Sequence, residues 1–419
     1  MDSPMIYNLF PRLTGHMGRW LEHAERARDM GFDWIFINPI QYPGFSGSLY
    51  AVKDFYKLNP LFVPPGVDDG MAALRDTLEQ LHDLDLKVMM DLVVNHTAKD
   101  STLIKEHPRW YRWDREGNVK SPSAIDPADA RKVTVWGDLA EVDNANSTDR
   151  QGLWAYWTAM VQHYVQLGFD GFRCDAAYKV PAKLWEQLIG AARSKRKETL
   201  FVAETLGCRL AEVRGIATAG FDYLFNSSKW WNFDAPWCLE QHEEFGAIAP
   251  SIAFPESHDT PRLMADTGGL VQVQRQRYAF AALFSAGLMM PIGYELGFTR
   301  RMNVVQTTPD DWEQTDVDLA PYIRVINRLK RERPVLSVEG RWEVVTALDG
   351  PTTVLRKTAE GLDPVAVAIN KDWHDPQVCK LPADLPAASV IRLQGREPAP
   401  TALDGARIDL EPAEVALLV

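Results

Sequence analysis

The chain has 419 residues, of which 46% are hydrophobic and 24% are charged, and this composition is ordinary for a globular protein with an ample core. Its formal net charge of −12 argues against a nucleic acid or an anionic membrane surface as partner, because both repel a negatively charged protein. A neutral ligand is indifferent to that charge.

The cysteines and the first residues both give an expectation about the compartment in which the protein resides. The first residues lack the basic and apolar regions of a secretory leader, and no window approaches about 18 consecutive apolar residues. We therefore expect a cytoplasmic protein without a membrane span. The four cysteines show no CxxC pair and no metal-ligand spacing, so we expect reduced thiols at Cys174, Cys208, Cys238 and Cys379.

Short apolar segments, typical of buried strands, alternate with longer segments of helical periodicity from the first residues to about residue 335. The predicted strands begin near residues 5, 32, 86, 171, 200, 221, 252 and 288. The predicted helices cover residues 18–30, 72–84, 153–167, 181–193, 212–218, 274–286 and 322–331. Strands that alternate with helices form a parallel sheet, and eight such units predict an α/β fold, a closed (β/α)8 TIM barrel.

Two segments depart from this rhythm. Residues 97–147, after the third strand, hold no long periodic run, but their tryptophans argue against disorder, so we predict an inserted domain B. Residues 336–419 alternate apolar and polar positions between turns, which predicts a C-terminal antiparallel β-sandwich domain. Residues 1–96 and 148–335 then form the catalytic barrel.

Charged residues stand at the ends of four predicted strands. The carboxyl ends of parallel barrel strands meet at one rim, so these side chains are expected to converge. Two carboxyl groups of opposite protonation are what the cleavage of a glycosidic bond requires. The residues are Asp91, the pair Arg173 and Asp175, Glu204, and the pair His258 and Asp259.

The surroundings of each acid predict its role. Arg173 lies two residues before Asp175 on the same strand face, so its charge is expected to lower the pKa of that carboxyl and keep it a nucleophile. Glu204 follows an apolar strand, so desolvation is expected to raise its pKa, as a general acid requires. Asp259, beside His258, is the third acid, which favours positive charge at the reacting carbon.

Each feature alone has a plain structural explanation. An isolated Arg-x-Asp is usually a local ion pair, and Asn95-His96 alone is compatible with a helix cap or a packed loop. Cys174, next to Asp175, is expected to pack in the barrel wall rather than to act as a nucleophile. The order of the features, each at the end of a different strand, favours a catalytic site.

Taken together, the segments resemble the four sequence regions of the α-amylase family, glycoside hydrolase family 13. The loop from Gly47 to Tyr56 is similar to the family loop whose tyrosine stacks under the reacting sugar, and the corresponding tyrosine here is Tyr50. The segment from Phe221 to Asn226 is similar to the corresponding segment of bacterial maltosyl-transferring relatives. The four regions correspond to Asp91-x-x-x-Asn95-His96, Gly171-Phe172-Arg173-Cys174-Asp175-Ala176, Glu204 and His258-Asp259.

The resemblance implies a retaining reaction on α-glucosidic bonds. Asp175 would be the nucleophile, Glu204 the acid/base and Asp259 the transition-state stabiliser. The implied substrate is an α-glucan or maltooligosaccharide. The expected substrate-binding residues are Tyr50, Asp91, His96, Arg173, Lys179 and His258, with Lys179 on the acceptor side.

The family often binds calcium near the inserted domain. The corresponding stretch here, residues 139–144, fits loosely, and calcium requires six to eight oxygen ligands that we cannot assemble from the sequence. We therefore predict neither a required metal nor another cofactor, although Asn95 remains a possible ligand.

The resemblance leaves open which molecule accepts the sugar unit after the donor bond is broken. The intact His258-Asp259 pair favours water, and hence an α-amylase-like hydrolase of α-1,4 bonds. The alternative is a transglycosylase that passes a glucosyl or maltosyl unit to a sugar or to phosphate. A non-catalytic carbohydrate-binding relative is the remote alternative, disfavoured because the three acids are present. The sequence does not predict the oligomeric state.

Four tryptophans could either stack against sugar rings or pack in the core, and the sequence favours neither role. They are Trp110, Trp113, Trp230 and Trp231.

Overall fold

The computed structural model describes residues 3–126, 129–383, 385, 387–394, 399–403 and 405–419. Its centre is a closed barrel of eight parallel strands in sequential order, with β1 paired to both β2 and β8. The predicted barrel is therefore confirmed. The strands are β1 Met5–Leu9, β2 Trp34–Ile37, β3 Lys87–Leu92, β4 Gly171–Cys174, β5 Leu200–Ala203, β6 Tyr223–Phe225, β7 Ser251–Ala253 and β8 Gly287–Pro291.

The strands form because nearly every position is apolar and buried on both faces, as in β1, β2 and β4. Register places Arg173 of β4 opposite Asp91 of β3. Gly171 opens β4 where a Cβ atom would lie 2.8 Å from the Leu200 carbonyl oxygen and 3.2 Å from the Trp34 ring. This close approach requires glycine and sets the position of the residues that follow it.

One main helix follows each strand and packs outside the barrel. Seven of the eight were predicted to within a few residues, but the fifth is shorter than predicted because residues 215–218 form turns, and the sixth was not predicted. The helices are α1 Trp20–Asp29, α2 Gly70–Asp83, α3 Arg150–Leu167, α4 Ala182–Lys195, α5 Leu210–Arg214, α6 Trp237–Gly246, α7 Val271–Phe284 and α8 Ala320–Glu332. Short helices lie at Pro11–Thr14, Leu103–Glu106 and Leu263–Asp266.

Two excursions rise from the carboxyl ends of the strands. After β2 the strands Gln41–Pro43 and Val52–Leu58 pair, and Tyr50 lies in the loop between them. After β3 the strands His96–Ala98 and Leu139–Glu141 pair, as do Ser123–Asp126 and Asp129–Val135. This second excursion falls in the predicted domain B, whose boundaries at residues 97 and 147 stay a prediction.

The C-terminal part is an antiparallel β unit of two sheets that share a buried apolar layer. The predicted β class is confirmed, and the boundary at residue 336 stays a prediction. The six-stranded sheet runs Arg341–Val344, Thr352–Ala359, Leu362–Asn370, Val415–Leu418, Ser389–Arg392 and Pro400–Ala402, and Gln377–Lys380 pairs with Arg407–Leu410.

Two buried lysines join the C-terminal unit to the barrel. The last carbonyl groups of a helix have no partner within it. At the end of α7, Lys330 Nζ donates to the carbonyls of Ala282 (2.8 Å) and Ser285 (2.7 Å) and to that of Leu336. Lys357 Nζ donates to the Phe284 carbonyl at 3.0 Å, and burial lowers the pKa of Lys357 to about 7.

In the part of the chain that the structure describes, no helix has the length and apolar character needed to cross a membrane.

Replacing Lys330 by Met should destabilise the protein, because three buried carbonyl oxygens lose their donor. We expect a loss of about 3 kcal/mol and a fall of several degrees in the apparent Tm. Differential scanning calorimetry measures this. Lys57→Met is the matched control, since the Lys57 side chain is 73% exposed and forms a surface ion pair with Asp54. An equal fall in Tm in both variants would contradict the role given to Lys330.

Candidate active site

The predicted site residues come together at the carboxyl rim of the barrel. They surround a cavity of ≈ 530 Å³. Asp91 and His258 are not among its described lining residues and lie directly behind the wall. The predicted residues that line the cavity are Tyr50, His96, Arg173, Asp175, Lys179, Glu204 and Asp259.

Arg173 is the centre of the charge arrangement. Its side chain is 4% exposed, and Nη1 donates to Asp91 Oδ1 and to Asp175 Oδ1, both at 2.8 Å. Nη2 lies 4.0 Å from Asp259 Oδ2. One guanidinium therefore holds three carboxylates, from β3, from the end of β4 and from the loop after β7, around one point.

Tyr50 closes one side of the site. Its hydroxyl donates to Asp91 Oδ2 at 2.6 Å and lies 2.7 Å from His258 Nε2. The Tyr50 and His258 rings stack with centroids 5.8 Å apart and an angle of 10° between planes. His96 Nε2 donates to the Tyr50 carbonyl at 3.1 Å, and burial lowers the pKa of His96, which favours its neutral form.

Glu204 is held by backbone N–H groups. Ala176 N donates to Oε2 at 2.8 Å and Leu206 N donates to Oε1 at 2.9 Å. Ala176 has a left-handed backbone, φ 39° and ψ 49°, which L-residues rarely adopt, so the turn after β4 is strained where it meets the carboxyl. Burial, aided by the charge of Asp175 and opposed by Arg173, raises the pKa of Glu204 to about 7. The expected desolvation of this acid is confirmed.

Asp259 has the opposite electrostatic environment. Its side chain is 56% exposed, and Oδ2 lies 3.1 Å from His258 Nε2. Desolvation acts to raise the pKa of Asp259, but the charge and hydrogen bond of His258, with Arg173, lower it below the ordinary value. The site thus contains one carboxyl that is readily protonated at neutral pH, Glu204, and one that stays ionised, Asp259.

A buried ion pair closes the loop that carries His258 and Asp259. Arg262 Nη1 donates to Glu256 Oε1 at 2.7 Å, and both side chains are 1% exposed. Leu263 N donates to the other oxygen of Glu256 at 2.6 Å, and Arg262 Nη2 donates to the Ile292 carbonyl at 2.9 Å. The two ends of the loop are therefore tied to each other and to the end of β8. This ion pair was not predicted from the sequence, although both residues flank the His258-Asp259 motif.

The structure also shows the surroundings of Lys179, of Cys174 and of the four tryptophans considered as sugar platforms. Lys179 Nζ donates to the Ser123 carbonyl at 2.7 Å and lies 5.5 Å from the Trp136 ring centroid. Trp136 and Trp230, 40% and 47% exposed, line the cavity; the contribution of Trp136 was missed. Trp110 and Trp231 are core residues, and Trp113 is exposed but absent from the described cavity lining. Cys174 is buried, which raises the pKa of its thiol and removes it as a nucleophile.

The side chains of the stretch from 139 to 144 do not fit a calcium site. Arg112 lies 3.0 Å from Glu141 Oε1 and 3.4 Å from Asp143 Oδ1, and the Asn144 amide is engaged by the Val94 carbonyl and Trp157. Among the described residues, no group of three or more His, Cys, Asp or Glu side chains is arranged to hold a metal ion. Whether the protein requires a metal stays a prediction.

The chain matches a family model and several known proteins over part or most of its length. A protein-family model described as the glucanotransferase domain of glycogen debranching enzyme matches residues 1–112. An α-1,4-glucan:maltose-1-phosphate maltosyltransferase of Burkholderia pseudomallei is 27% identical over 388 residues, which cover 89% of this chain and 33% of that protein. The α-amylase MalA of Haloarcula japonica is 22% identical over 393 residues, 86% of this chain and 53% of that protein.

The chain resembles enzymes of the α-amylase family. It spans about a third to a half of the length of the curated relatives it matches. An α-amylase crystal structure from Lactobacillus plantarum superposes with a TM-score of 0.77 at 21% identity, covering 99% of this chain and 98% of that one, which shows the fold alone. In this chain the cavity at the carboxyl rim lies where barrel enzymes place their active sites.

Replacing Glu256 by Gln should impair activity more than stability. The ion pair with Arg262 is lost while the backbone bond is kept, so the loop carrying Asp259 shifts, and we expect kcat/KM to fall by roughly 10- to 100-fold. Steady-state kinetics on maltoheptaose, together with Tm, measures both effects.

The matched control for this variant is Asp222→Asn. Asp222 likewise accepts from an arginine, Arg193, and from one backbone N–H, that of Phe201, but it lies at the opposite end of the barrel. We expect this control to lower Tm without lowering kcat/KM. If the two variants lose activity in proportion to their loss of Tm, Glu256 has no positioning role.

Proposed function

We propose that the protein is a retaining α-glucan transglycosylase, an enzyme that moves a glucosyl or maltosyl unit from an α-1,4-linked donor to a sugar or phosphate acceptor. The observation that carries the chemistry is the convergence of Asp175, Glu204 and Asp259 on one cavity around Arg173. The names of the relatives favour transfer over the hydrolysis that the sequence predicted, since most are maltosyltransferases.

The first half of the proposed reaction breaks the donor bond. The Asp175 carboxylate attacks the anomeric carbon, and the C–O bond to the leaving group breaks as Glu204 gives its proton to the departing oxygen. The donor unit is then an ester on Asp175. Asp259 and Asp175 place negative charge near the developing oxocarbenium ion, while Arg173 keeps these two carboxylates in position.

The second half forms the new bond. The Glu204 carboxylate takes the proton of an acceptor hydroxyl, whose oxygen attacks the anomeric carbon, and Asp175 leaves as carboxylate. Two inversions give net retention. Lys179, Tyr50 and His96 are proposed substrate contacts. Asp91 is proposed to act through Arg173 and Tyr50, and His258 through Tyr50 and Asp259, because both are buried behind the cavity wall.

Hydrolysis by the same residues is the second candidate. It uses water as the acceptor, and the relative named α-amylase MalA and the intact His258-Asp259 pair favour it. The two candidates share the first half of the reaction and differ only in what occupies the acceptor position.

Product analysis distinguishes the candidates. With maltoheptaose as donor and fluorescently labelled maltotriose as acceptor, we expect labelled products longer than maltotriose and little gain in reducing ends. A parallel reaction with maltose 1-phosphate tests a phosphate-linked donor. Asp175→Asn is the control and should form no product. Short sugars with a matching gain in reducing ends would replace transfer by hydrolysis.

The pH dependence should report on Glu204. Its proton is needed for bond cleavage, so the active form is lost as pH rises through the folded pKa of about 7, and kcat/KM should fall on the alkaline side of that value. Glu204→Gln should reduce activity on maltoheptaose by about 10²- to 10⁴-fold. α-Maltosyl fluoride needs no proton on its leaving group, so in a single turnover the variant should release one equivalent of fluoride with a far smaller loss of rate, before the missing base stalls the second half of the reaction. Equal losses on both donors in the first turnover would remove Glu204 as the acid.

A further inference from the structure

Arg12 is a buried cation at the rim of the barrel that the chemistry described above does not use. It lies in the short helix Pro11–Thr14, which follows β1, and it is 8% exposed. Its guanidinium donates to three backbone carbonyl oxygens, those of Gly47 at 2.7 Å (Nη2), Val304 at 2.9 Å (Nε) and Thr307 at 3.3 Å (Nη1). Burying a charge costs free energy unless its donors are paired, and here all three guanidinium nitrogens donate to backbone carbonyls.

The three carbonyls belong to two separate loops at the rim. Gly47 lies in residues 44–51, the Tyr50 loop, which connects the two strands of the excursion after β2. Val304 and Thr307 lie in residues 292–319, the β8 loop, which connects β8 to α8. Arg12 therefore joins two loops that are about 250 residues apart in the sequence.

Both loops line the catalytic cavity, whereas Arg12 is not among its described lining residues. Ser48 and Tyr50 line it from the Tyr50 loop, and Val304 lines it from the β8 loop. Leu49 N also donates to the Val304 carbonyl at 3.1 Å, so that oxygen accepts from the Tyr50 loop and from Arg12 together. The guanidinium lies directly behind the place where the two loops meet.

Each loop also contacts the group of catalytic carboxylates. From the Tyr50 loop, the Tyr50 hydroxyl donates to Asp91, which shares Arg173 with Asp175. From the β8 loop, Arg301 Nη2 donates to the Asp259 carbonyl at 2.8 Å. A shift of either loop would therefore move a group that touches the carboxylates.

We propose that Arg12 is a positioning residue for the reaction, which bonds the Tyr50 loop to the β8 loop and thereby fixes Tyr50 against Asp91. This inference rests on the proposed function, since it assigns a role in catalysis to a residue outside the cavity. Small displacements of a positioning group cost large factors in rate, so the bonds of Arg12 matter to the chemistry as well as to the fold.

Replacing Arg12 by Met removes all three hydrogen bonds, and we expect kcat/KM on maltoheptaose to fall by roughly 10- to 100-fold. A double-mutant cycle shows whether the loss passes through Tyr50. Tyr50→Phe removes the hydroxyl that donates to Asp91, so adding Arg12→Met to that variant should cost several-fold less than in the wild-type background. Equal losses in both backgrounds would overturn the proposal.

Arg331→Met is the matched control. Arg331 likewise donates to a backbone carbonyl, that of Ser3 at 3.1 Å, and it pairs with Asp33 at the opposite end of the barrel. It should lower Tm and leave kcat/KM within about twofold of wild type. If both variants lose activity in proportion to their loss of Tm, Arg12 has only a structural role. Arg12→Lys, which keeps the charge without the fork of donors, should show a smaller loss of kcat/KM and serves if Arg12→Met does not fold.

Amide hydrogen exchange tests the bridge between the loops without any substrate. Exchange in residues 44–51 and 303–308 should become faster in Arg12→Met, or in Arg12→Lys, and stay unchanged in Arg331→Met. Unchanged exchange in the Arg12 variant overturns the bridge even if activity falls. If the wild-type protein turns over neither maltoheptaose nor α-maltosyl fluoride, the proposed function and the catalytic role of Arg12 both fail, and faster exchange then supports the bridge alone.

Discussion

The site depends on one buried guanidinium. Asp91, Asp175 and Asp259 come from three separate segments and would repel one another at the rim of a barrel. Arg173 hydrogen-bonds two of them at 2.8 Å and lies 4.0 Å from the third. Removing a partner from a buried ionic cluster leaves uncompensated charge, so the arrangement holds only as a whole. Lysine offers a single point charge and cannot make these contacts in the same fork geometry.

The same cluster separates the protonation states that the chemistry needs. Glu204 receives no hydrogen bond from Arg173 and is held by two backbone N–H groups, so burial dominates its pKa. Asp259 faces His258 and Arg173, and these favourable charges outweigh its desolvation. Two carboxyls at one rim thereby differ in pKa because the charges of His258 and Arg173 outweigh desolvation at Asp259, whereas the charge of Arg173 does not outweigh it at Glu204.

Stability and chemistry occupy opposite ends of the barrel. At the bottom, Lys330 and Lys357 satisfy the carbonyls at the end of α7 and connect it to the β unit, far from the acids. At the rim, the strained Ala176 turn and the loop closed by Glu256 and Arg262 hold reacting groups in place. Conformational strain is tolerated where the surrounding bonds over-determine it, and the Ala176 turn, whose N–H donates to Glu204, is of this kind.

Local patterns in the chain were sufficient to predict the barrel and to place the acids at the ends of its strands. Buried strands are continuous apolar runs, and Asp175 and Glu204 follow such runs directly, so each could be placed at a strand end without knowledge of its neighbours. Helix α6 was missed because Trp, Cys and His interrupt its apolar periodicity, and α5 was predicted too long because residues 215–218 form turns instead of continuing the helix. Tertiary structure alone decided which distant groups meet: Arg262 with the Ile292 carbonyl, and Trp136 with Lys179. These contacts depend on how loops from different strands pack over the rim, and that packing has no signature in the order of residues.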